Sequence, residues 1–182
     1  GSAKSGKTTL SETMLFEAGI INRRGTVEEG NTVSDYHEIE HERGNSVYAT
    51  SLHTEWRDYK INLIDTPGLD DFAGEVVTAT AVCDTVVFLL NAQNGMEVGS
   101  ELLWEYIDQY KKPTILAVNR IDAEKADFNR TVEEAKSLFG PAVTVMQYPL
   151  TVGSTFNAII DLVKMVMYQF PEGGGKPEKL PI

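Results

Sequence analysis

The chain has 182 residues, 42% apolar and 24% charged, which suits one ordinary globular domain rather than two. Its 16 Lys and Arg against 27 Asp and Glu leave a net charge of −11, so binding to nucleic acid through a broad electrostatic footprint is excluded and any RNA contact has to be local. No apolar run reaches the ~18 residues that would suggest a membrane span, and the single cysteine, Cys83, excludes internal disulfides and thiolate zinc sites.

The chain opens on Gly1 without a Met and ends on Pro181-Ile182 after a Pro/Gly-rich stretch. It therefore reads as a piece of a longer protein, with Gly1-Ser2 either native or left from a tag. Leu10, Met14 and Leu15 fall at helical spacing and predict a helix over residues 7–20, stopping near Gly19. Residues 22–45 carry no sustained apolar period and predict a long functional loop. Residues 47–52 and 60–64 read as strands separated by a polar turn around Arg57-Asp58. An apolar run at 84–90, a helix at 100–110, a strand at 114–118 and a helix at 126–139 follow in alternation. That alternation predicts a mostly parallel sheet covered by helices on both faces. After Gly140-Pro141 the texture changes, with further strands at 142–150 and within 155–170, a short helix among them, and a linker or loop at 171–177. The core is expected over 1–140, truncated at its start, with 141–182 as the end of the core.

Gly1-Ser2-Ala3-Lys4-Ser5-Gly6-Lys7-Thr8 fits G-x-x-x-x-G-K-[ST] and runs straight into the first helix. Glycines let backbone N–H groups turn inward on phosphates, and a helix N-terminus adds positive potential. In such a loop the Lys reaches the outer phosphates and the hydroxyl is a magnesium ligand. The alternative is a Gly/Ser-rich end that matches by chance. Ile61-Asn62-Leu63-Ile64-Asp65-Thr66-Pro67-Gly68 is a strand ending in an acid and a tight turn. Asp65 suits magnesium, usually through water, and the Gly68 N–H suits close approach to a γ-phosphate; an Asx-type turn is the alternative. Residues 114–118 deliver Asn119-Arg120-Ile121-Asp122. An Asp accepting from guanine N1 and N2 rejects adenine, with Asn119 tying the loop in place; a helix cap is the alternative. The order of the three signals, each at the carboxyl end of a strand, is the order expected of a GTPase.

With those residues in place, the chain resembles the G domain of translational GTPases, most closely that of bacterial elongation factor G, over essentially its whole length. Glu42-Arg43-Gly44-Asn45-Ser46-Val47 resembles the end of that family's first switch, and Asp65-Thr66-Pro67-Gly68-Leu69-Asp70-Asp71-Phe72 its second. Residues 145–150 and 155–161 are similar to the segment leading into its inserted subdomain. The resemblance implies a P-loop NTPase fold whose first strand precedes Gly1, GTP or GDP with Mg2+ as ligands, the ribosome as partner and the cytoplasm as location. It implies no role for DNA or a membrane. Gly1, Lys4, Ser5, Gly6, Lys7, Thr8, Thr9, Asp65, Gly68, Asn119, Arg120 and Asp122 would line the nucleotide, and Thr8, Ser46 and Asp65 the metal. A Ser-Ala pair that closes on guanine is absent, so the piece alone should bind nucleotide weakly.

The departures bear on mechanism. Ser46 stands for a Thr, which keeps a hydroxyl; Asn45 replaces an apolar residue; Arg120 replaces a Lys of similar reach. Lys4 stands for an Asp, and its ammonium either replaces a monovalent cation beside the phosphates or points to solvent. Leu69 stands where the family places a His that orients the attacking water, and leucine neither donates nor accepts a hydrogen bond. Loss of such a group costs ~10²- to 10⁴-fold in rate. Three functions are therefore expected: GTP hydrolysis coupled to translocation, a GTP-dependent ribosome-binding switch with little hydrolysis, or a tetracycline-resistance type of ribosome protection. His37 and His41 read as surface or RNA-facing residues of the first switch and His53 as a structural or surface strand residue. Trp56, Trp104 and Cys83 read as packing residues.

Overall fold

A computed structural model describes residues 1–182 and resolves into two compact units, residues 1–89 with 98–117, and residues 90–97 with 118–182. In chain order the elements are helix α1 (Lys7–Glu17), a short helix α2 (Glu38–Arg43), strands β1 (Thr50–Trp56) and β2 (Tyr59–Asp65), helix α3 (Ala73–Val82), β3 (Val86–Asn91), α4 (Val98–Gln109), β4 (Thr114–Asn119), α5 (Phe128–Phe139), and strands β5 (Gln147–Pro149), β6 (Ala158–Asp161), β7 (Val166–Gln169) and β8 (Glu178–Pro181).

The strands form three sheets, not the single mostly parallel one expected. β1 and β2 are an antiparallel hairpin in register from Thr50↔Asp65 to Trp56↔Tyr59. Its two turn residues, Arg57 (φ +49°) and Asp58 (φ +68°), both take left-handed conformations, the geometry whose twist matches a two-residue hairpin. β3 and β4 are the one parallel pair. Val86 N–H donates to Pro113 O and Ala92 N–H to Asn119 O, each at 2.9 Å, with the same sequence offset at both ends. β5 to β8 run antiparallel throughout. The physical reason is connection length: the short links between these strands return each one beside its predecessor, and parallel neighbours need a longer crossover.

Other expectations shift for identifiable reasons. The strand expected at 47–52 begins only at Thr50. The N–H groups of Val47 and Tyr48 donate to Glu40 Oε1 (2.9 and 3.1 Å) and that of Ala49 to Glu75 Oε2 (2.8 Å), so they leave the ladder. The same carboxylate of Glu40, 1% exposed, organises α2 inside the expected loop. Of the strand expected at 142–150 only Gln147–Pro149 pairs. β8, four residues of Glu-Lys-Leu-Pro with no readable period, exists through its pairing to β7. Trp56 is 51% exposed rather than packed, with the Arg57 guanidinium over its ring. Cys83 is half-buried, its thiol against Thr80 O.

In the first unit the core gathers Leu15, Leu52, Ala79, Phe88, Leu103 and Ile107; in the second it gathers Leu90, Ala92, Phe128, Val132, Ala135 and Ala158. Helix α5 follows its sequence closely. Asp127 caps it through Arg130 N–H, its buried face repeats at Phe128, Thr131, Val132 and Ala135, and it stops at Gly140.

The β6–β7 turn is built on Asp161, whose Oδ1 accepts from Val163 N–H (3.1 Å) and Lys164 N–H (2.8 Å). The Lys164 backbone bond, more than the Lys164 charge, holds this carboxyl below its ordinary value. A lowered carboxylate pKa contributes stability above the ordinary range and loses it as pH falls through the lowered value. Asp161→Asn is therefore expected to flatten the acid limb of a stability-versus-pH curve measured by denaturant unfolding, and an unchanged acid limb would contradict this.

Candidate functional site

Residues 1–6 form a tight loop on the N-terminus of α1. Lys4 (φ +60°) and Gly6 (φ +97°) both take left-handed conformations, which turn successive N–H groups to one side in an anion-binding concavity. Glycine adopts this freely; Lys4 does so at a cost of about 1–2 kcal/mol. The Lys7 ammonium donates to Gly1 O (2.9 Å) and Ser2 O (2.8 Å), so the loop wraps its own lysine. Ser5 is fully buried within it, and Lys4 and Thr9 are exposed.

Two glycines are required by close approach. A Cβ on Gly1 would collide with the Leu89 carbonyl of β3, and one on Gly68 with Lys7 Nζ and with Ala3 N at 2.8 Å. Gly68 thus lies against the phosphate-type loop, which brings the first two sequence signals together within one unit.

Below Lys7 lies a buried polar cluster. Thr8 Oγ1 and Ser46 Oγ are 3.2 Å apart. Ser34 Oγ donates to Asp65 Oδ2 at 2.6 Å, and Thr50 Oγ1 donates to Ser34 O at 2.9 Å. Burial pushes the Asp65 carboxyl up, opposed by the hydrogen bonds of Ser34 and Thr8 and by the Lys7 charge. Asp35, 4% exposed, is likewise pushed up by burial against a hydrogen bond from Ser46, and its Oδ1 has no partner. Ser34 and Asp35 were not legible in the sequence. Neither belongs to a recognisable spacing, and only the folding of the 22–45 segment onto β2 brings them to Asp65.

Magnesium prefers an octahedron of oxygens at 2.0–2.1 Å and keeps several waters. The edge of such an octahedron is about 3 Å, which the Thr8–Ser46 hydroxyl separation of 3.2 Å nearly matches. The donor set of two hydroxyls beside a carboxylate therefore fits that ion. No cluster of three or more His, Cys, Asp or Glu offers an all-protein metal cage.

The third signal lies in the second unit. Asn119 ends β4, its carbonyl accepting from Ala92 N–H. Arg120 (φ +57°) turns the chain, Asp122 is exposed, and the loop is pinned where Gly153 N–H donates to Ile121 O at 2.7 Å. Leu69 is half-buried and opens the 3-10 turn Asp70–Phe72. Of the histidines, His41 Nε2 lies 2.6 Å from Asp35 O, His37 stacks between Tyr36 and Tyr48, and His53 is exposed on β1.

The sequence profile described as the elongation factor Tu GTP binding domain matches residues 1–172. Elongation factor G of Mycoplasma pneumoniae is 38% identical over 175 residues, covering 96% of this chain and 25% of that protein. Elongation factor G of Granulibacter bethesdensis is 35% identical over 180 residues, covering 98% and 26%. The chain thus spans about a quarter of the length of these curated relatives. A crystal structure of a protein from Thermus thermophilus superposes with a TM-score of 0.92 at 30% identity, covering 100% of this chain and 27% of that one.

The raised carboxyl of Asp65 has a measurable cost in the ligand-free domain. A carboxylate whose folded-state pKa is raised contributes stability that is fully present below the ordinary range and is lost as pH rises through the raised value. Asp65→Asn is expected to melt at a higher temperature than the parent at neutral pH and to converge with it in acid. A lower melting temperature at neutral pH would mean that the Ser34, Thr8 and Lys7 contacts outweigh burial.

Proposed function

The chain belongs to the family of translational GTPase domains described as the elongation factor Tu GTP binding domain, and from that premise we propose that it binds and hydrolyses GTP as the G domain of an elongation-factor-G-type protein acting on the ribosome in the cytoplasm. The observation that carries this reading is the cluster at the start of α1. There a left-handed loop wraps Lys7, Gly68 abuts it, and the hydroxyls of Thr8 and Ser46 meet beside Asp65.

In this reading the N–H groups of residues 3–8 and the Lys7 ammonium hold the β- and γ-phosphates. Lys7 is already fixed by loop carbonyls, so little side-chain entropy remains to be lost on binding. Thr8, Ser46 and Asp65 are the residues that would hold Mg2+, and the ion would supply charge neutralisation to the phosphates. Asp65 must then be ionised, which the ion favours over the protonated form that burial promotes. The Gly68 N–H is placed to report on the γ-phosphate, since Gly68 lies so close to the loop that an added Cβ would come within 2.8 Å of Ala3 N. Asn119 and Arg120 shape the loop on which Asp122 reads guanine. Lys4 is exposed, as an ammonium that replaces a monovalent cation and one that points to solvent would both be before nucleotide binds.

Leu69 supports a second reading, a GTP-dependent ribosome-binding switch with little hydrolysis, because its side chain has nothing with which to orient water. GTP turnover by the full-length protein, with and without ribosomes, decides between the two. Ribosome-stimulated hydrolysis sustains the enzyme reading. GTP-driven ribosome binding without turnover sustains the switch, and absence of both ends the proposal. Leu69→His is expected to raise ribosome-stimulated turnover by about 10²-fold or more, without changing GTP affinity, and unchanged turnover would remove Leu69 from the mechanism. Asp122→Ala is expected to weaken GTP binding about 10²-fold and to let ATP compete better in a displacement assay. Equal affinity for GTP before and after the change would rule out its guanine-reading role.

A further inference from the structure

Helix α1 turns a carboxylate into the interior one turn beyond Thr8. Glu12 is 1% exposed, and its hydrogen-bond partners are backbone donors: Oε1 accepts from Gly25 N–H at 2.9 Å and Oε2 from Val33 N–H at 3.0 Å. The ion pairs of the chain lie elsewhere, on α5 and at Asp161. A buried, unpaired carboxylate is costly unless its oxygens are satisfied, and charge-assisted bonds to N–H groups do this more strongly than neutral ones.

The two donors stand at the neck of a loop that closes on itself. Asn31 Oδ1 accepts from Thr26 N–H at 2.7 Å, and Gly30 N–H donates to Val27 O at 3.1 Å. Glu12 therefore gathers both ends of this loop onto the helix that carries Lys7 and Thr8. The residue after Val33 is Ser34, whose hydroxyl holds Asp65. One carboxylate thus stands a single residue away from the group that fixes the Asp65 side chain, at the start of the segment that delivers Ser46 to Thr8.

We propose that Glu12 is a positioning residue of the nucleotide site, coupling the phosphate-loop helix to the segment that supplies Ser34 and Ser46. The proposal rests on the GTP-binding reading above. Its chemistry demands a carboxylate. Two converging N–H donors need two acceptor oxygens, whereas a glutamine amide offers one and sets its NH2 against the other donor. An aspartate keeps both acceptors on a stem one methylene shorter.

The test uses the full-length protein with Glu12→Gln and Glu12→Asp, read two ways. The first is the rate of tryptic nicking at Arg23 and Arg24, the exposed residues just before Gly25, with and without nucleotide. The second is the affinity for GDP against that for a non-hydrolysable GTP analogue. Glu12→Gln is expected to raise nicking about tenfold or more, the loss of one charge-assisted hydrogen bond. It is also expected to weaken the GTP analogue by a similar factor while leaving GDP within about twofold, with Glu12→Asp lying between it and the parent. Unchanged nicking overturns the proposal. Equal weakening of both nucleotides also overturns it, because that marks a merely structural residue. If the parent binds neither nucleotide, the nucleotide-site role falls with the GTP reading, and raised nicking then leaves Glu12 as a structural strap only.

Discussion

Every buried backbone N–H needs an acceptor, and the irregular segment between α1 and β1 supplies its own at only some positions, such as Asn31 Oδ1 for Thr26 N–H. At its key joints carboxylates supply them. Glu12 serves Gly25 and Val33, Glu40 serves His37, Val47 and Tyr48, and Glu75 serves Ala49. This one constraint explains why the chain tolerates buried acids without cationic partners, why β1 begins late, and why a six-residue helix forms within a loop. It also explains how Ser46 comes to meet Thr8. The residue after it is clamped by Glu40, and the hydroxyl is directed back toward α1 rather than into a ladder.

The same arrangement fixes the stripe by which α1 packs. Thr8, Glu12 and Leu15 are its buried residues, at spacings of four and three, so a helix whose apolar period is weak still presents one coherent face. Two of those three positions are polar and each is spent on the site, Thr8 on the hydroxyl pair and Glu12 on the loop neck. The bonds of Thr8 and Glu12 thus lie along the same edge of the helix as its one buried apolar residue, Leu15. Leu10, apolar and in the expected period, is 36% exposed.

Around the phosphate-type loop, strain and close packing serve one geometry. Lys4 accepts an unfavourable backbone conformation, Gly68 is excluded from carrying any side chain, and Lys7 is restrained by carbonyls of its own loop. A site so restrained is prepared for an anion before one arrives. Beside this loop, position 69 offers no polar side chain: Leu69 is half-buried and can neither donate nor accept a hydrogen bond.

The sequence by itself determined the loop, its order relative to Asp65 and to Asn119-Arg120-Ile121-Asp122, the hairpin turn at Arg57-Asp58, and the stop of α5 at Gly140. In each case the signal lies in residues adjacent along the chain, where a left-handed turn, a cap or a strand end has a local chemical cause. Only the tertiary structure decided which strands share a sheet, that Glu178–Pro181 is a strand, that Trp56 is exposed, and that Ser34, Asp35 and Glu12 gather around Asp65 and the helix that carries Lys7. Those outcomes depend on partners many residues away. A carboxylate answering an amide across twenty-one positions leaves no period in the sequence, and a short strand paired only by its neighbour has no pattern of its own.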